Sequence, residues 1–251
     1  MKRSAKWRQF RLTTAFVVTG LMIGTVLLSS TSEVAARSTV PTSYGASSGY
    51  EVASTVAPLT SARASLTVPS VNPCPNTEEV DVEVLFSTNS GPSGVGVQLA
   101  CDQGFSSYLP HVTSDGSREN IPTTVTIGDA LTLSVSMTPT QSSFTFIDNT
   151  TGFSYTQLGP GAVATAASIG TTAILKDPLV SPVAYSIPKS SPVSFSGVQV
   201  NGRNLSTYTS STGLLEDIET TNGDGPPSGT IQVMPSALRK SSSFSLMWKH
   251  R

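Results

Sequence analysis

Between Leu131 and Met137 every second residue is apolar: Leu131, Leu133, Val135 and Met137 alternate with Thr132, Ser134 and Ser136. A period of two puts one face of a β-strand on a core and the other in water; an amphipathic helix needs a period near 3.6. The signature recurs downstream. Phe144 and Phe146 flank Thr145, then Asp148-Asn149-Thr150-Thr151-Gly152 supplies residues that tolerate turn conformations, and Phe153 and Tyr155 resume the alternation. This predicts a hairpin. Further strands are predicted within 80–86, where Asp81 and Glu83 interrupt an apolar run, and within 193–200, 230–234 and 244–248. Pro and Gly punctuate the chain between these runs. No window beyond the N-terminal region shows a convincing helical stripe. Many short strands of this kind predict an all-β fold, a sandwich or a barrel.

The composition agrees. Of 251 residues 37 % are hydrophobic, enough for a core, but only 12 % are charged, about half the share usual in soluble domains. Ser and Thr take the polar positions, as strands with one wet face require. So few carboxylates are compatible with an acidic medium, because little charge is lost on protonation.

Charge is concentrated at the start. Lys2, Arg3, Lys6, Arg8 and Arg11 precede an apolar run over residues 15–28, and small residues Val34, Ala35 and Ala36 follow. A basic stretch, a short apolar stretch and a small-residue cleavage site describe an export signal. The run is short for a membrane span, though a retained N-terminal anchor stands as the rival reading. Residues 1–36 are therefore expected to be a signal peptide, 37–62 a Ser/Thr/Ala-rich linker or extended N-terminal segment, and 63–251 the β-domain. Cleavage after Ala36 would remove five of the 15 basic residues and one of the 16 acidic ones, leaving 10 against 15. Such a surface repels phosphate backbones, so nucleic acid is not an expected partner.

In an exported chain the pair Cys74 and Cys101 reads first as a disulfide, with two buried thiols as the alternative. Two Cys and two separated His, His111 and His250, make no metal-ligand spacing, so no metal and no cofactor is expected. His111 follows Pro110 and reads as a solvated loop histidine. The acidic cluster Glu78, Glu79, Asp81 and Glu83 lacks a calcium-loop spacing and reads as a solvated strand edge.

Several segments, in order, resemble the eqolisin or glutamic endopeptidase family (scytalidoglutamic peptidase-like). Ala64-Ser65-Leu66-Thr67-Val68-Pro69-Ser70-Val71 is similar to its A-T-W-T-V-P-S-V strand, and Ile147-Asp148-Asn149-Thr150-Thr151-Gly152 to its I-E-N-L-T-T-G hairpin. Asp217-Ile218-Glu219, Pro235-Ser236-Ala237-Leu238 and Ser243-Phe244-Ser245-Leu246-Met247-Trp248 resemble its closing strands. The resemblance covers about residues 62–248. It implies a concanavalin-like sandwich of two antiparallel sheets with a cleft on the concave face.

The family's chemistry uses a Glu as general base on a water and a Gln that orients that water and stabilises the oxyanion. Gln98, in Val97-Gln98-Leu99-Ala100, matches the Gln. Anchored on Pro178, the Glu position falls on Thr172, whose hydroxyl cannot act as a base. Asp177 is at an odd offset from Thr172, and Glu83 would face the cleft only in a shifted register. Two expectations follow. One is a divergent secreted relative of acid-acting endopeptidases that has lost its base; the other is a non-catalytic secreted sandwich that binds peptide or glycan on its concave face. In both, a polypeptide is the expected partner, and no membrane contact is expected beyond the N-terminal segment.

Overall fold

A computed structural model of the chain describes residues 42–54, 57–74, 77–173, 187–209, 213–220, 231–239 and 242–249. Among these, regular structure is strand apart from one 3-10 turn at Leu205–Thr207. The strands are β1 (Thr42–Gly45), β2 (Ser47–Ala53), β3 (Ser61–Thr67), β4 (Glu78–Thr88), β5 (Gly91–Asp102), β6 (Phe105–Ser114), β7 (Ser117–Asn120) and β8 (Ala130–Met137). They continue with β9 (Gln141–Asp148), β10 (Phe153–Pro160), β11 (Ala164–Ala173), β12 (Val193–Val200), β13 (Arg203–Asn204), β14 (Leu214–Thr220), β15 (Ile231–Pro235) and β16 (Phe244–Trp248).

The strands form two antiparallel sheets of six and eight strands, and hydrogen bonds link them in one continuous path, β10-β9-β8-β3-β12-β16 followed by β15-β14-β2-β11-β4-β5-β6-β7. The pairing of β15 with β16 joins the two along one side, β1 adds in parallel to β14, and β13 pairs with β12. Alternation decides which face is buried. Val80, Val82, Val84 and Phe86 of β4 are fully buried, as are Val95 and Leu99 of β5. Across from them stand Leu131, Leu133, Phe144 and Phe146, also fully buried, where β4 and β5 pack on β8 and β9. The result is the two-layer all-β sandwich that the alternation predicts.

The hairpin over 141–160 forms as predicted, with Phe153 opposite Asp148 and Gly152 at φ 78°. Asp148 is fully buried and acts as the staple of the turn. Its carboxylate accepts from the Thr150 and Thr151 backbone N–H groups at 2.9 and 3.3 Å and from the Thr151 hydroxyl at 2.6 Å. Burial pushes its pKa up, but these hydrogen bonds outweigh burial and hold the group below its ordinary value. A carboxylate depressed in the folded state stabilises above its unfolded pKa, and that contribution fades as pH falls through the folded value. Asp148→Ala should cost about 2 kcal/mol at pH 7. The deficit should narrow below about pH 4. Urea unfolding at both pH values checks this, and a deficit independent of pH would contradict it.

Of the two readings of 37–62, a linker or an extended N-terminal segment, the linker does not hold for residues 47–53. Residues 47–53 form β2, an interior strand between β14 and β11. Its Ser-rich composition hides a short apolar alternation in which Tyr50 and Val52 are buried. Tyr50 packs edge-on to Phe244 with ring centroids 5.0 Å apart, and its hydroxyl donates to the Ser236 carbonyl at 3.0 Å. Residues 1–36, read as an export signal, lie outside the described residues. Among the described ones no helix is long and apolar enough to cross a membrane.

Cys74 and Cys101 form a disulfide with Cα atoms 5.2 Å apart, which settles the two-thiol alternative. The bond ties the segment entering β4 to the end of β5. Replacing both cysteines by serine should lower stability by roughly 3 kcal/mol in the chain-entropy account. Denaturant unfolding measures the loss, and a change below 1 kcal/mol would rule that account out here.

Candidate functional site

The odd-numbered residues of β4, Glu79, Asp81, Glu83 and Leu85, point away from the core. Antiparallel pairing extends this face across neighbouring strands, because directly opposed residues project to the same side. One row runs Thr172, Asp81, Gln98, Leu109 from β11 through β4 and β5 to β6. The next runs Gly170, Glu83, Gly96, His111, Asn120 as far as β7. Gln98, Asp81 and Glu83 therefore share a face without any slip in register, contrary to the sequence expectation for Glu83.

Gln98 is half-buried, and its side-chain amide donates to Glu79 Oε2 at 3.3 Å. An acidic side chain thus stands beside the glutamine amide, where the sequence expectation had none. Thr172 lies two strands from Gln98 in the same row, and Asp81 occupies the position between them. The Asp177–Pro178 anchor from which Thr172 was identified lies outside the described residues.

Beside this pair sits a buried ionic cluster. Asp81 is 9 % exposed, Glu83 5 % and His111 0 %. The solvated edge expected for the acidic residues and the solvated loop expected for His111 are both corrected: β4 is interior to its sheet, and His111 lies within β6. Two local features assemble the cluster. Gly96 separates Glu83 from His111 across β5, and a Cβ there would come 2.6 Å from the Glu83 Cβ, so only a glycine leaves the space above it open. Asp115 and Gly116 have φ of 51° and 77°. Two positive values suit a tight hairpin turn. The turn reverses β6 into β7 and sets Arg118 opposite Thr113.

Arg118 Nη1 donates to both oxygens of Asp81 at 3.1 Å, and its Nη2 donates to His111 Nδ1 at 2.9 Å. His111 Nε2 lies 3.8 Å from Asp81 Oδ1 and 3.9 Å from Glu83 Oε2. Both gaps exceed hydrogen-bonding range, and this buried nitrogen has no hydrogen-bond partner among the described residues. Burial raises the Asp81 pKa to about 6; the neighbouring Glu83 adds to the rise, while His111 and Arg118 oppose it.

At the far end of the Gln98 row, Leu109 is 40 % exposed and Ile127 56 %. Both line a shallow groove of about 650 Å³ together with Tyr108 and Val125.

The fold is that of the eqolisin peptidases. The chain is similar to scytalidoglutamic peptidase solved with a peptide-based transition-state analogue, at TM-score 0.64 and 15 % identity, covering 82 % of this chain and 98 % of that one. It is similar also to SCP-B, an eqolisin-family peptidase solved with the tripeptide Ala-Ile-His, at TM-score 0.61 and 15 % identity over the same shares. No family model and no curated protein matches the sequence.

Proposed function

We propose that this face binds an extended polypeptide and hydrolyses it with Glu79 and Gln98, in a chain exported to an acidic medium. The observation that carries the reading is the 3.3 Å contact of the Gln98 amide with the Glu79 carboxylate on the solvent-reached part of the face. A water bound beside the pair loses a proton to Glu79 as its oxygen attacks the scissile carbonyl carbon. The Gln98 N–H then donates to the oxygen on which negative charge develops. Glu79 returns the proton to the amide nitrogen, the C–N bond breaks, and acid and amine leave. The groove beyond Leu109 receives an apolar side chain of the substrate. The low charge density of the chain and the peptide-bound relatives of its fold support the reading.

A denatured protein incubated from pH 2 to 5 with the chain from residue 37 onward tests it. Cleavage should appear in that range and fall about 100-fold or more in Gln98→Ala. One observation favours a second reading. Thr172 stands where the resemblance implies the base, and a face without a working base would bind peptide and release it unchanged. Saturable peptide binding with no cleavage at any pH would establish that alternative.

A further inference from the structure

We infer that Asp81, Glu83 and His111 form a binding site for a single divalent transition-metal ion of the zinc or manganese kind. The inference stands apart from the peptide chemistry of Glu79 and Gln98. One ligand atom from each of the three residues lies within 4.8 Å of the other two. Gaps of 3.8 and 3.9 Å from His111 Nε2 are too long for hydrogen bonds. They suit two donors each about 2.0–2.2 Å from one ion.

One buried atom in the cluster is unsatisfied, and a carboxylate beside it is poorly matched. Among the described residues His111 Nε2 has no hydrogen-bond partner, although the residue is 0 % exposed. Among the described residues Glu83, 5 % exposed, receives no hydrogen bond; the Asp81 carboxylate is its neighbour, and the His111 ring lies 3.9 Å away. A buried carboxylate without a hydrogen bond or a close cation is costly. An ion between Nε2 and the two carboxylates would give the orphaned nitrogen and Glu83 a common partner. The imidazole excludes a preference for calcium or magnesium, which favour all-oxygen shells. Zinc and manganese accept mixed nitrogen and oxygen ligands.

Arg118 explains how the site stays folded without the ion. A guanidinium only donates, so its 2.9 Å contact makes His111 Nδ1 the acceptor and leaves the ring proton on Nε2. Metal binding must displace that proton, and Nδ1 must then carry one. The acceptor is already in place, since the Leu109 carbonyl oxygen lies 3.4 Å from Nδ1. A ligating histidine that donates its other N–H to a backbone carbonyl is the usual outer arrangement of such sites. Arg118 sits on the edge strand β7 with its side chain 29 % exposed, so it can swing out. The ion replaces its positive charge beside Asp81.

Calorimetric titration of EDTA-stripped protein with zinc chloride, and separately with manganese chloride, tests this at pH 7. Two buffers of different ionisation enthalpy report proton release. We expect one ion per chain with net proton release well below one, because the proton displaced from Nε2 is regained at Nδ1. Glu83→Gln should weaken binding 10-fold or more. Arg118→Ala should tighten it, because the competing cation is gone and Nδ1 is free to turn its proton to Leu109. His111→Ala should abolish binding, with circular dichroism confirming that the variant is folded. Uptake of neither ion by both the unmodified chain and Arg118→Ala overturns the site, as does an affinity that survives Glu83→Gln. The readout needs no peptide, so a catalytically inert protein leaves this test intact.

Discussion

Glu79→Gln is expected to reduce peptide cleavage about 100-fold or more while leaving the fold as stable as before. The substitution keeps the side chain's shape and its reach to Gln98 but removes the proton acceptor, and positioned general bases contribute 10²- to 10⁴-fold. Because Glu79 is half-buried on the outer face of β4, with its neighbours Val80 and Val82 carrying the packing, the stability change should stay within about 0.5 kcal/mol. Paired assays decide the matter: the initial cleavage rate at the pH of maximal activity, and thermal unfolding of the same preparation. A variant that unfolds early would say nothing of the chemistry, so Glu79→Asp provides the second arm. The shorter acid retains the base and should recover part of the rate that the amide loses. Full activity in Glu79→Gln would remove the role assigned to this carboxylate.

The largest effect on stability is expected at Gly170. It faces Gly49 across the β2–β11 pair. A Cβ on Gly170 would run into the Ser48 carbonyl oxygen and lie 2.8 Å from the Gly49 Cα. Both obstacles are backbone atoms of a paired strand, so no side chain can rotate aside to make room. Gly49 also has φ 151°, a conformation that side-chain-bearing residues rarely adopt. Gly170→Ala must therefore push β2 from β11, and a cost of about 3 kcal/mol or more is expected. Denaturant unfolding should show a lower midpoint with little change in slope. A loss below 1 kcal/mol would mean that the two strands part easily.

Much of the fold was legible from the chain. The Leu131–Met137 alternation and the turn at 148–152 needed only the period of two and ordinary turn chemistry, and both elements form where the pattern puts them. Gln98 was singled out through the resemblance, and it lies on the outer face. The rest was obscured for physical reasons. Asp81 and Glu83 interrupt an apolar run, which is what a strand edge shows. Here the strand is interior, and its polar positions line a face closed over by Arg118 and His111. Pro110 next to His111 suggested a loop, because proline cannot donate to a ladder. Yet Pro110 is placed within β6, where its carbonyl accepts from the Ile121 N–H at 2.9 Å. The meeting of Glu79 with Gln98, residues 19 apart in the chain, depends on the pairing register of β4 with β5. Alternation alone does not fix that register.

The β7 edge has a kinetic consequence. It is a strand of four residues, all exposed, and among the described residues it pairs with β6 alone. Short edge strands are the first to fray, and their amides should exchange with deuterium far sooner than those of β4 and β5. Each fraying event would lift the guanidinium of Arg118 away from the buried acids while the layered body stays shut. Ions in the medium would thus reach Asp81 and Glu83 through brief opening of a border, at a rate set by β7 rather than by global unfolding.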